Sequence, residues 1–328
     1  MVTDIERRSM TNLRFSAQEM QEVSAAARHA PSLFNLRPWR WRETGGSLEL
    51  LLDRSVTLAV TDPDNRELVI SCGAALHHAA LAMRASGRQI SVRRLPDQQD
   101  PDVLGAIEVV GPAPPLPIDS DLNLAARRRH VDRDVYAPLA VPGEVLADIV
   151  SATEAARVSV LTRDQRYAVA QAFTKAAMVH AADAAYRAEL AEWSGLSELP
   201  TRGMPARSAP WHGQRYGDIV VRDFGFTESA VTETGSALTA GTLLLISTDD
   251  DDREAHLRAG EALGAVLCRA ELAGLVSCPL SEAFEVPRTR AAVRHEVLNG
   301  AAVPQMVVRV GWPRSSEQSD GRTPTADG

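Results

Sequence analysis

The stretch SCGAALHHAALAMRASG at residues 71–87 lines up without gaps on RAGEALGAVLCRAELAG at residues 258–274. Matched residues, such as Gly73 and Gly260, are 187 positions apart. Both stretches have the apolar spacing of a buried helix, and each ends at a glycine that can close the helix in a left-handed conformation. Two Ala- and Leu-rich helices can resemble each other by chance, but the elements around them favour an internal duplication.

The segments that flank the two helices also follow a common order. Strand-like runs occupy 39–43, 47–53 and 104–111 in the first half of the chain, and 241–247 and 306–312 in the second. This order predicts an α+β protein in which helices surround central β-sheets and two related halves are fused in one polypeptide.

A Pro-rich linker, GPAPPLPID at 111–119, marks the boundary between the halves. We predict a first half at 1–120, a second half at 121–312 and a flexible, polar tail at 313–328. Within the second half, the irregular segment at about 195–227 is too long for an ordinary connector. Segments of this kind often act as lids or binding loops.

Composition excludes several classes of protein. The chain has 328 residues and a formal net charge of −8, and no long face is rich in Lys or Arg, which argues against a nucleic-acid partner. Cys72, Cys268 and Cys278 lack the spacing of a metal site, so we expect no metal and a reducing, cytoplasmic location. No apolar leader and no run of 18 apolar residues is present, so no membrane partner is predicted.

The segment APSLFNLRPW at 30–39 is the sharpest local signal in the chain. A Pro-Ser turn offers a backbone amide and a hydroxyl, and Asn35 offers both a donor and an acceptor, as the edge of a flat heteroaromatic ring requires. An ordinary loop in which Ser32 and Asn35 cap backbone groups explains the same residues equally well.

A basic segment, ARRRHVDRD at 126–134, is a candidate phosphate site. Arg129 and Arg133, with His130 between them, can present several positively charged donors to one phosphate group. For a basic run alone, a solvated charged linker is the more common outcome.

The segment CPLSEAF at 278–284 is interpreted as a turn whose small residues let backbone amides approach a ligand. Glu282 is a candidate general acid or base, although a lone loop carboxylate is usually solvated. Cys278 is expected to be a buried, inert thiol. The pair His77-His78 has no partner at metal-ligand spacing, and the usual Rossmann, P-loop and hydrolase motifs are absent from the sequence.

These segments together resemble the FMN-dependent nitroreductases, and among them the Acg-like subfamily of flavin-binding proteins. The 30–39 segment is similar to the family motif A-P-S-x-x-N-x-Q-P-W, with Arg37 in place of the glutamine. The run at 53–76 is similar to the subfamily pattern D-P-x-x-R-x-x-x-I-S-C-G-A-A-L. RHVDR at 129–133 resembles the phosphate-binding element of the family, with Val131 at a position where a hydroxyl is usual.

The resemblance implies one non-covalent FMN per chain. Ordinary nitroreductases are homodimers whose sites combine residues of both subunits, so the fused halves imply an internal pseudo-dimer, either as a monomer or as part of a further homodimer. The chemistry takes place on the flavin, with no catalytic side chain, and either Arg314 or Arg322 of the tail is expected to reach the phosphate. The implied cofactor-binding residues are Pro31, Ser32, Asn35, Arg37, Arg129, His130, Arg133, Pro279, Leu280, Ser281 and Arg314.

The implied activity is the NAD(P)H-dependent reduction of nitroaromatics or quinones by hydride transfer through flavin N5, with a small molecule as the electron acceptor. An alternative is an FMN-storage protein in which the 195–227 segment closes over the site and prevents turnover. A flavin-free pseudo-dimer is a third alternative.

Overall fold

The computed structural model describes residues 15–193, 215–216, 219–220, 222 and 241–314. The elements of the first half are α1 (Ala17–Ala27), β1 (Trp39–Thr44), β2 (Ser47–Leu52), α2 (Arg66–Ala85), β3 (Arg88–Arg94), β4 (Val103–Pro112) and α3 (Pro117–Arg128). Those of the second half are α4 (Gly143–Val150), β5 (Arg157–Val160), α5 (Arg163–Ala182), α6 (Ala184–Trp193), β6 (Arg215–Tyr216), β7 (Ile219–Val220), β8 (Thr242–Thr248), α7 (Arg253–Leu272), β9 (Val276–Leu280), α8 (Glu282–Glu285), α9 (Pro287–Glu296) and β10 (Val303–Gly311).

Each half contains a four-stranded antiparallel sheet. The strand order is β1-β2-β4-β3 in the first half and β5-β8-β10-β9 in the second. Each central helix follows the second strand, in chain order, of its four-stranded sheet, so the two sheets have the same connectivity around α2 and α7. The predicted α+β class, with helices around central sheets, is confirmed.

Helices α2 and α7 cross at the centre of the molecule through a pair of glycines. A Cβ atom added to Gly73 would lie 2.0 Å from the carbonyl oxygen of Leu257, and one added to Gly260 would lie 1.9 Å from the carbonyl oxygen of Ile70. Ile70 and Leu257 are themselves 187 positions apart. The two contacts are therefore reciprocal, as they are at an interface with two-fold symmetry.

Apolar residues of the central helices pack on the two sheets in separate cores. Leu76 of α2 packs against Gly105 of β4, and Leu48 and Leu50 of β2 belong to the same hydrophobic core. In the second half, Val266 of α7 belongs to a cluster with residues of β8 and β10. Helix α2 is long and apolar enough to cross a membrane, but 83% of its most apolar window is buried, as expected for a core helix.

One strand was not predicted, and two expectations about local structure were wrong. The run at 88–94 forms β3, an edge strand of the first sheet. Residues 278–280, interpreted as a turn, end β9, the equivalent edge strand of the second sheet, where Pro279 is tolerated because an edge strand leaves backbone donors unused. Much of the predicted linker at 111–119 is structured, because β4 extends to Pro112 and α3 begins at Pro117.

Candidate functional site

A cavity of about 810 Å³, counting its open mouth, lies between the two halves. The first half contributes the loop around Pro31 and Ser32 and one face of α2, and the second half contributes Arg133 and the 278–282 segment. Its apolar lining residues are Leu33, Phe34, Ile70, Val131, Phe173, Val220, Leu263, Leu280 and Met306.

The loop from the first half has an unusual backbone. Phe34, Asn35 and Arg37 all have positive φ angles, of 48°, 57° and 49°. For residues other than glycine this costs of the order of 1 kcal/mol each, and such strain persists only where the surroundings hold it. Two hydroxyls do so here: Ser71 Oγ accepts a hydrogen bond from the Leu33 amide at 3.1 Å, and Ser32 Oγ accepts one from the Arg37 amide at 3.2 Å.

Ser32 lines the cavity, and its hydroxyl caps a backbone amide of its own loop, as the structural alternative predicted. Asn35 and Arg37 lie in the same loop but outside the lining of the cavity. The sharp turn directs Phe34 into the cavity wall instead.

The basic segment of the second half meets this loop directly. Arg129 Nη2 donates a hydrogen bond to the His29 carbonyl at 2.6 Å. The Nε and Nη1 atoms of Arg129 are buried and have no hydrogen-bond partner among the described residues. Burial lowers the pKa of Arg129, which means that the cation is held where an anion would stabilise it. Nearby, Arg127, Arg129 and Arg37 all lower the pKa of His29, although burial is the larger cause.

A buried arginine holds the rest of the basic segment in place. Arg309 is fully buried 3.7 Å from the ring centroid of Tyr136, and its Nη2 donates to the carbonyl oxygens of Asp132 at 3.1 Å and Asp134 at 2.8 Å. The Asp132 amide donates to the Ser277 carbonyl of β9 at 2.9 Å. Arg133 is thereby positioned at the cavity.

A second polar cluster, which the sequence did not indicate, forms another part of the cavity wall. Arg222 is buried, pairs with Glu285, bonds the hydroxyl of Tyr186 and lies 5.1 Å from the ring centroid of Phe34. Glu67 of α2 is 2% exposed and pairs with Arg66. Burial raises the pKa of Glu67 to about 7, so this carboxyl group is half protonated near neutral pH.

Glu282 belongs to the same cluster, and the expectation that it is solvated was wrong. It is 5% exposed and lines the cavity, and its Oε1 lies 3.4 Å from Nδ1 of His180. Its Oε2 is buried with no partner among the described residues. Cys278 is buried as expected, and burial raises the pKa of its thiol.

Comparison with known proteins identifies the family. No protein-family model matches the chain. Two proteins of Mycobacterium tuberculosis share the name "Putative NAD(P)H nitroreductase". Rv3131 is 38% identical to this chain over 309 residues, which cover 90% of this chain and 86% of Rv3131. The protein acg is 32% identical over 301 residues, which cover 90% of this chain and 89% of acg. The chain belongs to the nitroreductase family.

Two solved nitroreductase structures are also similar to the chain. One is the FMN-bound nitroreductase from Bacteroides fragilis, with a TM-score of 0.37 and 13% identity over 63% of this chain and 93% of its own. The other is NfnB from Mycobacterium smegmatis in complex with NADPH, with a TM-score of 0.34 and 16% identity over 63% and 96%.

The nitroreductase resemblance selected eleven candidate residues, and the structure divides them into two groups. Six line the cavity between the halves: Pro31, Ser32, Arg133, Pro279, Leu280 and Ser281. Five do not: Asn35, Arg37, Arg129, His130 and Arg314. His130 and Arg314 are exposed, whereas Arg129 is joined to the first-half loop through His29.

The segment expected to act as a lid lies mostly outside the described residues. Of its described residues, Val220 and Arg222 line the cavity. No sequence pattern indicated Arg222 or His180, because each meets its partners only after the chain has folded. Glu67 lies inside the recognised 53–76 run, but its burial is set by the crossing of α2 with the second half.

Proposed function

We propose that this chain is an oxidoreductase of the nitroreductase type that holds one non-covalent FMN per chain and reduces a small-molecule acceptor with NAD(P)H. The observation that carries the proposal is the cavity between the halves, where the Pro31-Ser32 loop meets Arg133 and the Pro279–Ser281 segment. Membership of the nitroreductase family and the names of the relatives from Mycobacterium tuberculosis support NAD(P)H as the donor. The 32% identity to acg supports assignment to the Acg-like subfamily.

The chemistry of the cavity fits a flavin mononucleotide. Apolar side chains such as Leu33, Ile70 and Met306 offer the walls that a flat ring system needs. Arg133 offers a fork of donors to a phosphate, and the buried donors of Arg129 lie close to the same loop. Two acidic side chains, Glu67 and Glu282, line another part of the cavity wall, so we assign the phosphate to the Arg133 side.

When bound, FMN supplies the hydride-transfer chemistry, and the protein supplies binding, orientation and exclusion of water. In this proposal, Ser32 and the 279–281 segment contact the ring, and Arg129, His130, Arg133 and Arg314 surround the phosphate. Asn35 and Arg37 support the ring-binding loop from behind. No side chain is required as a catalytic acid or base.

We further propose that residues 1–120 and 121–312 are two nitroreductase-like halves that form an internal pseudo-dimer. The common strand order of the two sheets and the reciprocal contacts of Gly73 and Gly260 support this division. A pseudo-dimer of this kind has two equivalent interfaces between its halves. Only one of them carries both a Pro-Ser turn and a basic segment, which supports one FMN per chain.

The test begins with the visible spectrum of the purified full-length chain. We expect flavin absorbance, with FMN released by denaturation at one equivalent per chain. Anaerobic mixing with NADPH or NADH should bleach this absorbance, and a nitroaromatic or a quinone should restore it. A colourless protein that does not quench the fluorescence of added FMN would contradict the proposal. A flavin that dithionite reduces but neither nicotinamide reduces would instead support storage.

A further inference from the structure

A cluster of nitrogen and sulfur ligands lies where α2 and α7 pack together. It consists of His77 and His78 on α2 and Cys268 on α7, and the ligand atoms of all three lie within 4.8 Å of one another. The three side chains do not line the cavity proposed for FMN. No sequence pattern indicated the cluster, because Cys268 lies 190 residues after His78.

The orientation of His78 suits a metal ligand. Its Nδ1 lies 3.0 Å from the carbonyl oxygen of Ala74, to which it donates, so the lone pair of the neutral ring is on Nε2. That atom lies 3.9 Å from Sγ of Cys268. A metal ion bound to both atoms would separate them by about 3.6–3.8 Å, which is close to the observed spacing. The fixed ring and the observed separation therefore suit coordination of one ion by both side chains.

His77 supplies an unused ligand atom. Its Nδ1 is buried and has no hydrogen-bond partner among the described residues. A Cβ atom at position 264 would come within 2.9 Å of this nitrogen, so Gly264 provides the space beside the ring. His77 is half-buried, which leaves a path to solvent.

Metal binding at this cluster is coupled to the loss of one proton from Cys268. The S–H bond breaks, the sulfur–metal bond forms and the proton leaves to solvent. Structural zinc sites use four protein ligands, whereas this cluster supplies three among the residues that the structure describes. The number of ligands therefore favours a metal ion that accepts three-coordination.

We propose that His77, His78 and Cys268 form a three-coordinate site for a soft monovalent cation of the copper(I) class. Thiolate and imidazole ligands select copper(I) and zinc, and three ligands favour copper(I), because structural zinc sites take four. The site links the central helices of the two halves, so occupancy should also stabilise the fold.

The experiment uses the full-length chain without a polyhistidine tag. The protein is titrated anaerobically with copper(I) against a colorimetric copper(I) chelator, and separately with zinc(II) against a zinc indicator. Flavin content is measured in every sample, so that a failure of this site and a failure of the FMN proposal are distinguishable. The variants are Cys268→Ser and His77→Ala. Cys72→Ser is the matched control, because Cys72 is also buried, lies on α2 and bonds a backbone carbonyl.

We expect one tightly bound copper(I) per chain and weaker binding of zinc(II). Cys268→Ser should lower the copper(I) affinity by about 100-fold or more, at least the loss caused by removing a supporting residue, and His77→Ala by at least about 10-fold. Cys72→Ser should stay within about two-fold. Copper X-ray absorption should detect one sulfur and two nitrogen neighbours.

Three results would overturn the proposal: no stoichiometric copper(I), unchanged affinity in the natively folded Cys268→Ser variant, or tighter binding of zinc(II) than of copper(I). If Cys268→Ser fails to fold, His77→Ala decides, because His77 is the half-buried member of the cluster.

Discussion

Replacing Gly260 with alanine tests how closely the central helices cross. The added methyl group would lie 1.9 Å from the carbonyl oxygen of Ile70, whereas real carbon contacts are no shorter than about 3.0 Å. The helices must therefore separate by about 1 Å, because the obstructing atom belongs to the backbone and cannot swing aside. Overpacking of a core costs up to about 3 kcal/mol, and a rigid backbone neighbour places Gly260→Ala at that upper end.

Urea denaturation followed by circular dichroism measures this loss, and the melting temperature should fall by about 4 °C. Gly143→Ala is the matched control: Gly143 begins α4, and a Cβ atom there would meet no other atom within 4 Å. This control should be neutral or slightly stabilising. Gly73→Ala should cost as much as Gly260→Ala, and the double variant less than the sum, because helices already separated accept the second methyl group more easily. If Gly260→Ala unfolds within about 1 kcal/mol of the unmodified chain, the close crossing of the helices is refuted.

Arg133→Ala should weaken FMN binding, measured by fluorescence quenching, at least about 10-fold, since a charge-assisted hydrogen bond contributes about 1.5–3 kcal/mol. The control Arg93→Ala removes an exposed cation paired with Glu108 and should leave the FMN affinity unchanged. Arg309→Met should lower the free energy of unfolding, measured by urea denaturation, by about 3 kcal/mol and release the 132–134 segment, because two carbonyl oxygens lose their buried donor. A variant as stable as the unmodified chain would contradict this role of Arg309. Glu67 should make stability fall as pH rises: its pKa in the folded protein, about 7, is above its ordinary value of 4.5, so its contribution is complete below pH 4.5 and is lost as pH rises through 7. The difference in unfolding free energy between Glu67→Gln and the unmodified chain should therefore change by up to about 3 kcal/mol over this interval, and parallel pH profiles would contradict the assignment.

The sequence predicted the parts of this fold whose signal is local. The apolar spacing of 71–87 and 258–274 identified both central helices, and the glycine pair within them proved to be the point where the helices cross. The edge strands β3 and β9 were missed. Arginines in the first and Pro279 in the second interrupt the alternation by which a strand is recognised.

The candidate site was predicted to a similar extent. Motif similarity predicted that Ser32 and Arg133 contribute to one site. Both line the same cavity, although 101 positions separate them in the sequence. The cluster of Glu282, His180 and Arg222 could not be found in this way. His180 is 102 residues from Glu282, and a carboxylate in a short polar segment carries no local sign that another helix will bury it.

The fusion of two related halves that we propose removes a constraint of symmetric assemblies. In a homodimer, every substitution appears at both equivalent interfaces at once, so neither site can change alone. In the proposed pseudo-dimer each interface is encoded separately, so one can keep a Pro-Ser turn and a basic segment while its counterpart loses them. The crossing of α2 and α7 has no such freedom, because Gly73 and Gly260 each lie against the backbone of the other helix. Amino-acid substitutions should therefore be tolerated best at the periphery of the two halves and least where α2 and α7 cross.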